Sequence, residues 1–162
     1  MIFEKNANLL VELEENRLDA IIHSANCFHT FGAGIALQIA RRFPEAAEAD
    51  RRDSVRGDRS KLGTFTYAQV LSDPPRIVYN LYSQYTFGHG RQTLYDPMVE
   101  GLEKIKIHAM SKGLTKLGMP KWMGCRLGGG SWRVVWAIIQ DTFEKEDSLD
   151  LFVCDYDPPK HI

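Results

Sequence analysis

The stretch from Ala20 to Pro44 constrains the fold of this chain more than any other. Ala20, Ile21 and Ile22 form a short apolar run rich in β-branched residues, the pattern of a buried strand. His23, Ser24, Ala25 and Asn26 then lead out of the strand into a loop that ends Phe31-Gly32-Ala33-Gly34. Beyond it, apolar residues recur at helical spacing, at Ile35, Leu37, Ile39, Ala40 and Phe43, and Pro44 stops the pattern. A strand, a glycine loop and a helix start, in that order, aim unpaired backbone N–H groups and the positive end of a helix dipole at one point. Such a point binds phosphate; the glycines taken alone fit a tight turn equally well.

A second segment repeats the logic. The apolar run entering at Leu117 is followed by Gly124-Cys125-Arg126-Leu127-Gly128-Gly129-Gly130 and then by a helix. Three glycines in succession let the backbone approach a ligand without a Cβ in the way. Ser131 is a natural N-cap, and Trp132, Val135, Trp136, Ile139 and Phe143 mark the buried face of the helix. Two such loops suit a ligand with two linked anionic groups, such as a diphosphate.

The stretches NCFHTFGAGIALQIARRFP and GCRLGGGSW resemble the first and second ligand loops of macro domains, modules that bind ADP-ribose. The wording is similar to the branch holding the small ADP-ribose-1''-phosphate phosphatases, the antitoxin-type macro domains and the terminal ADP-ribose glycohydrolases. The resemblance runs from Asn8-Leu9-Leu10 to the last strand. It implies a three-layer α/β/α fold with a mixed, mostly parallel sheet. It also implies ADP-ribose or a phosphorylated ADP-ribose as the ligand, without a cofactor. The implied contacts are Asn8, Asn26, Gly32, Ala33, Gly34, Ile35, Ala36, Gln84, Gly124, Cys125, Arg126, Leu127, Gly128, Gly129 and Gly130. Asn8 stands where many macro domains carry an aspartate that meets the adenine amino group.

The residues choose less sharply among reactions. One hydrolase branch uses a lysine after the fourth strand and an aspartate in the second glycine loop; here Gln84 or Tyr85, and Gly128, take those places. Another uses an aspartate just after the first loop, where Ala36 stands. His23 occupies the place of a histidine found in the phosphatase branch, three residues before the loop asparagine. An imidazole suits proton transfer near neutrality, so His23 and Asn26 are the candidate catalytic pair for dephosphorylating ADP-ribose-1''-phosphate. His23 reads equally as a strand histidine bonded in the core. A non-catalytic binder, or a hydrolase working without the usual lysine and aspartate, are the alternatives.

At 162 residues the chain fits one domain, expected over 1–155 with a C-terminal tail over 156–162. Lys and Arg total 20 against 21 Asp and Glu, so composition offers no broad footprint for nucleic acid or membrane, and neither is expected as a partner. The absence of a signal pattern or a membrane span predicts a cytoplasmic protein; a monomer is expected. Cys27, Cys125 and Cys154 show no metal or disulfide spacing, and no metal is expected. Cys27 and Cys125 read as small residues lining the two loops.

Along the rest of the chain, residues 2–5 and 9–13 read as a broken first strand. The charged run 45–61 reads as a solvated helix and a surface connection. Residues 63–70 and 77–82 form a hairpin across Asp73-Pro74-Pro75. Residues 83–91 form a third glycine loop with Gln84, Tyr85, Phe87, His89 and Arg91; the resemblance implies that it closes over a ribose or an adenine, and without it the stretch reads as an ordinary surface loop. An amphipathic helix spans 94–112, with Tyr95, Met98, Val99, Leu102, Ile105 and Ala109 inward. Strands follow at 114–119 and 149–154 around the helix over 131–144.

Overall fold

A computed structural model of the chain describes residues 1–156. Its elements are β1 (Ile2–Asn6), α1 (Leu9–Glu14), β2 (Ala20–Ala25), α2 (Gly34–Arg42), α3 (Pro44–Asp53), a 3-10 turn (Arg59–Lys61), β3 (Phe65–Ser72), β4 (Pro75–Tyr82), α4 (Tyr95–Ser111), β5 (Lys116–Pro120), α5 (Trp132–Phe143) and β6 (Asp150–Asp155). The six strands form one sheet in the order β1-β6-β5-β2-β4-β3. All neighbours are parallel except the β3–β4 hairpin. Helices cover both faces, so this is the three-layer α/β/α arrangement expected from the sequence.

Alternation along the strands divides the core in two. Ala20 and Ile22 of β2 face α4 and α5, where Met98, Leu102, Ile105, Ile139 and Phe143 are fully buried. Ile21 faces the other way, toward Leu9, Leu10 and Leu13 of α1, Ile39 of α2 and Ala46 of α3. Among the described residues no helix is long and apolar enough to cross a membrane.

Several expectations change. Residues 9–13 are helical, because the Asn8 side chain caps them, accepting from Leu10 N–H at 3.1 Å and Val11 N–H at 3.4 Å. The apolar residues Leu9, Leu10 and Leu13 then lie on one helical face, a spacing that a strand reading splits between two faces. The second strand does not end at Ile22 but runs to Ala25, paired with β4 throughout, so His23 sits inside the sheet. Pro44 ends one helix and opens the next, at whose first turn its missing N–H is harmless. Val99 is exposed on α4. Trp132 and Trp136 are half-buried and pack on each other with centroids 5.8 Å apart. Ser131 precedes α5 but makes no side-chain cap bond. Apart from Tyr156, the expected tail lies outside the described residues.

The charged run 45–61 is only partly solvated, since Asp50 and Lys61 are buried and joined at 2.9 Å. Asp50 also accepts a hydrogen bond from the Tyr82 hydroxyl. Tyr82 in turn shares a 2.7 Å bond with the Thr66 hydroxyl, and Thr66 accepts from the Asn80 amide at 3.0 Å. Asn80 also donates to the Ala46 carbonyl at 2.9 Å, so its oxygen is left to accept from His23 Nε2 at 2.6 Å. A continuous polar chain thus ties β2, β4, β3 and α3 to the turn carrying Lys61. Desolvation makes each member dependent on its partners.

Breaking the ion pair leaves a buried charge without its counterion, so Lys61→Met should lower unfolding free energy by about 3–5 kcal/mol in urea titrations. Burial also holds the His23 imidazole below its ordinary pKa, against the opposing pull of Asn80 and Asp50. The unfolded chain, with its imidazole near pKa about 6.5, therefore takes up a proton more readily than the folded one. The stability contributed by neutral His23 is complete above that pH and is lost as pH falls through it. Burial shifts His108 in the same direction, with Lys112 adding to it, so the measurement is a difference. Stability should fall less steeply below about pH 6.5 in His23→Gln than in the wild type.

Candidate functional site

The carboxyl ends of β1, β6, β5, β2 and β4 meet at one edge of the sheet and open into a crevice of about 1320 Å³. Ala7, Asn8, Asp155 and Tyr156 line its β1–β6 end, and Asn26, Gln84 and Phe87 line the end near β2 and β4. The two glycine loops form the long walls. Strand-end crevices of this kind are where open α/β sheets bind ligands.

The first wall is the β2–α2 loop. Ala33 stands at the N-cap of α2 without a side-chain cap bond, so no capping side chain occupies the first-turn N–H groups, and Gly34, Ile35 and Ala36 line the crevice at the positive end of the helix. Asn26 shapes this loop from within. Its Oδ1 accepts from Phe28 N–H at 2.8 Å, and its Nδ2 donates to the Thr30 carbonyl at 3.1 Å. One lone pair and one N–H remain for a ligand.

The second wall is the β5–α5 loop, and residues 92–93 hold its shape. Gln92 and Thr93 N–H groups donate to the Gly128 carbonyl at 2.7 and 3.0 Å, and the Thr93 hydroxyl donates to the Gly124 carbonyl. The need for glycine here comes from the protein itself as well as from any ligand. A Cβ on Gly128 would stand 2.5 Å from Thr93 Oγ1 and 2.6 Å from the Gly124 carbonyl oxygen. A Cβ on Gly130 would meet that same oxygen at 2.9 Å. Gly129 has φ +69° and packs against the Arg91 backbone. Leu127 reaches across to the first wall, its Cδ1 3.1 Å from where a Cβ on Gly34 would be.

The crevice gathers Asn8, Asn26, Gly32, Ala33, Gly34, Ile35, Ala36, Gln84, Gly124, Arg126, Leu127, Gly128 and Gly129. Cys125 and Gly130, also expected at the ligand, do not line it. Cys125 turns inward against the core of the α4–α5 face, and Gly130 closes the loop through its N–H to Gly124. Burial raises the pKa of both the Cys27 and Cys125 thiols, which disfavours their thiolate forms.

His23 has no exposed surface, its Nε2 is committed to Asn80, and burial holds it neutral. This geometry corresponds to the core histidine of the two sequence readings; an acid or base needs reach to the reacting atoms.

Sequence reasoning missed Thr93, which has no exposed surface, along with the crevice residues Phe31, Lys121 and Trp122. No local signal marks Thr93, because its role is a bond to a loop 31 residues away. Trp122 has φ +68°, a left-handed conformation unusual for a bulky residue.

Gly32 is the contrast to the second wall, since a Cβ there finds only Thr30 Cγ2 at 3.5 Å, ordinary contact. Gly32→Ala should change stability by less than about 0.5 kcal/mol. Gly128→Ala, overpacked against backbone, should lose about 1–3 kcal/mol in the same denaturation assay.

No family model matches the chain. An uncharacterized 17.5 kDa protein of Enterobacteria phage T4 is 30% identical over 140 residues, covering 85% of this chain and 86% of that protein. ADP-ribose glycohydrolase OARD1 of Homo sapiens is 28% identical over 131 residues, covering 81% of this chain and 78% of that enzyme. Among solved structures, the macrodomain of Thermus aquaticus DarG superposes with TM-score 0.75 at 23% identity, covering 98% of this chain and 99% of that one. Three layers, a strand-end crevice and two facing glycine loops agree with these likenesses, and the chain belongs to the macro domain family.

Proposed function

We propose that this protein binds ADP-ribose along the crevice and acts as a hydrolase on an ADP-ribose derivative. The observation that carries the reading is the pair of facing loops: the uncapped first turn of α2 on one side and the 126–129 backbone on the other. A diphosphate between them meets N–H donors from both walls without requiring a formal positive charge. The adenine belongs at the β1–β6 end. Asn8 uses its oxygen to cap α1, so its free NH₂ group is a donor suited to a ring nitrogen of the base. The distal ribose then falls near Asn26, whose remaining N–H and lone pair match a hydroxyl.

The likeness to ADP-ribose glycohydrolase OARD1 favours cleavage at the distal ribose, with water replacing the attached group. Dephosphorylation of ADP-ribose-1''-phosphate was the reaction suggested by His23. That reading loses its proton carrier when the imidazole is buried, neutral and bonded to Asn80. In the reading preferred here, preorganised N–H donors and substrate positioning contribute most of the rate enhancement.

Gly32→Glu tests the site cleanly, because Gly32 tolerates a side chain and the carboxylate would face the phosphates. The wild type should gain about 2.7 kcal/mol of stability with ADP-ribose at one hundred times its Kd. Gly32→Glu should melt like the ligand-free wild type and gain nothing. An unmoved wild-type melt at millimolar ADP-ribose would overturn the binding reading. Product analysis should show release of ADP-ribose from an ADP-ribosylated acceptor. Phosphate release from ADP-ribose-1''-phosphate alone would reassign the reaction.

A further inference from the structure

Hydrolysis in the crevice calls for a group that can take up a proton beside the distal ribose. Where one hydrolase branch carries a lysine and an aspartate, this chain has Gln84 or Tyr85, and Gly128. The titratable side chains that line the crevice are few, and most are committed. His23 is buried with its Nε2 bonded to Asn80, and burial pushes the Cys154 thiol up to about 11. Lys121 pairs with Glu4 at 3.7 Å and Arg126 with Asp155 at 3.9 Å, toward the β1–β6 end, where Tyr156 also lies. Arg91 is a guanidinium and keeps its protons. His89 remains.

The loop after β4 carries this imidazole on an arm whose two limbs are fixed. A bridge between Gln84 and Thr93 closes its base. On the outgoing limb Phe28 packs edge-to-face on Tyr85 at 5.0 Å and lies 6.4 Å from Phe87. Arg59 covers the Tyr85 ring at 3.9 Å and Arg56 the Phe28 ring at 5.3 Å. The returning limb rests on the second wall. There Gln92 and Thr93 N–H groups hold the Gly128 carbonyl, and the Gly90 carbonyl oxygen and Arg91 Cα stand 3.1 and 3.0 Å from where a Cβ on Gly129 would be. Between the limbs Gly88 has φ +120° and Gly90 φ +84°, and a Cβ on either would meet nothing within 4 Å. Such backbone suits glycine and leaves the tip in open space. His89 is exposed there, lines the crevice and uses its carbonyl to accept from Gln92 Nε2 at 3.0 Å. Among the described residues no hydrogen bond engages its imidazole.

We propose that His89 is the general base of the hydrolysis. Gln84, Phe87 and Asn26 share the end of the crevice given to the distal ribose, and the arm brings the imidazole to that end. Imidazole is the side chain that exchanges protons near neutrality. A water molecule between His89 and the sugar gives a proton to the imidazole as its oxygen bonds to C1''. The bond from C1'' to the acceptor breaks, and its electron pair leaves with the acceptor. The acceptor takes a proton from solvent and the imidazolium returns its own, so the products are ADP-ribose and the free acceptor. This assignment rests on the hydrolase reading. Binding of ADP-ribose is independent of it, since the base meets water rather than the diphosphate.

The test substrate is ADP-ribose joined through C1'' to a coumarin phenol that fluoresces once released. A phenol leaves without help from an acid, so the assay reads the base. His89→Ala should lower kcat by about 10²- to 10⁴-fold. KM and the rise in melting temperature with ADP-ribose should stay as in the wild type. Free imidazole should restore part of the lost rate to His89→Ala and leave the wild type unchanged. The position is exposed, and an unchanged thermal midpoint without ligand establishes that the variant is folded. His89→Ala as fast as the wild type, slowed through KM alone, or unresponsive to imidazole overturns the assignment while hydrolysis stands. A wild type that ADP-ribose stabilises but that releases no phenol overturns the hydrolase reading and the assignment together.

Discussion

Five of the six strands run parallel, and that one constraint arranges everything else. Parallel neighbours cannot be joined by a tight turn, so each return crosses over a face of the sheet, here by way of helices. Every strand in the parallel set therefore ends at the same edge, and the helices that follow begin there with their N–H groups unsatisfied. At β2–α2 the first turn of the helix lines the crevice, and across from it stands the 126–129 backbone of the β5–α5 loop. Recognition of an anion then needs no excess of lysine and arginine, in keeping with a formal net charge of −1.

The loops owe their shape to what lies behind them. Beneath the first, the chain from His23 through Asn80, Thr66, Tyr82 and Asp50 to Lys61 locks three strands to α3. Behind the second, Thr93 fills the space that Cβ atoms on Gly124, Gly128 and Gly130 would need. Both walls are held by protein–protein contacts, so the donors are set before a ligand arrives. Such preorganisation keeps the entropy of ordering the loops out of the binding step.

Much of the fold was legible because periodicity reports burial. Ile21 and Ile22 in β2, the hairpin around Asp73 and the inward face of α4 each carry a repeat that only one element satisfies. The first helix was harder. Leu9, Leu10 and Leu13 make less than two turns, too short for either period to declare itself, and the Asn8 cap decides the outcome. The loop residues of the site were legible from glycine spacing, since few backbones tolerate such runs. The inward turn of Cys125 was not, because a loop's sequence does not say which way each side chain turns.

By itself the sequence determined the alternation of strands and helices, the two glycine loops and the absence of the charged residues that other members of the family use. These are local properties, written in spacing and residue type. Tertiary structure alone decided the fate of His23: its neighbour Asn80 is 57 residues away, and burial follows from the helices laid over that face of the sheet. It also decided that Asp50 and Lys61 face each other in the interior, and that Phe28, Arg56, Arg59, Tyr85 and Phe87 share one surface. Composition averages charge over the whole chain, whereas folding sorts it by position. A near-neutral sequence can therefore carry two glycine-loop walls without an acidic side chain, which only the three-dimensional arrangement brings face to face.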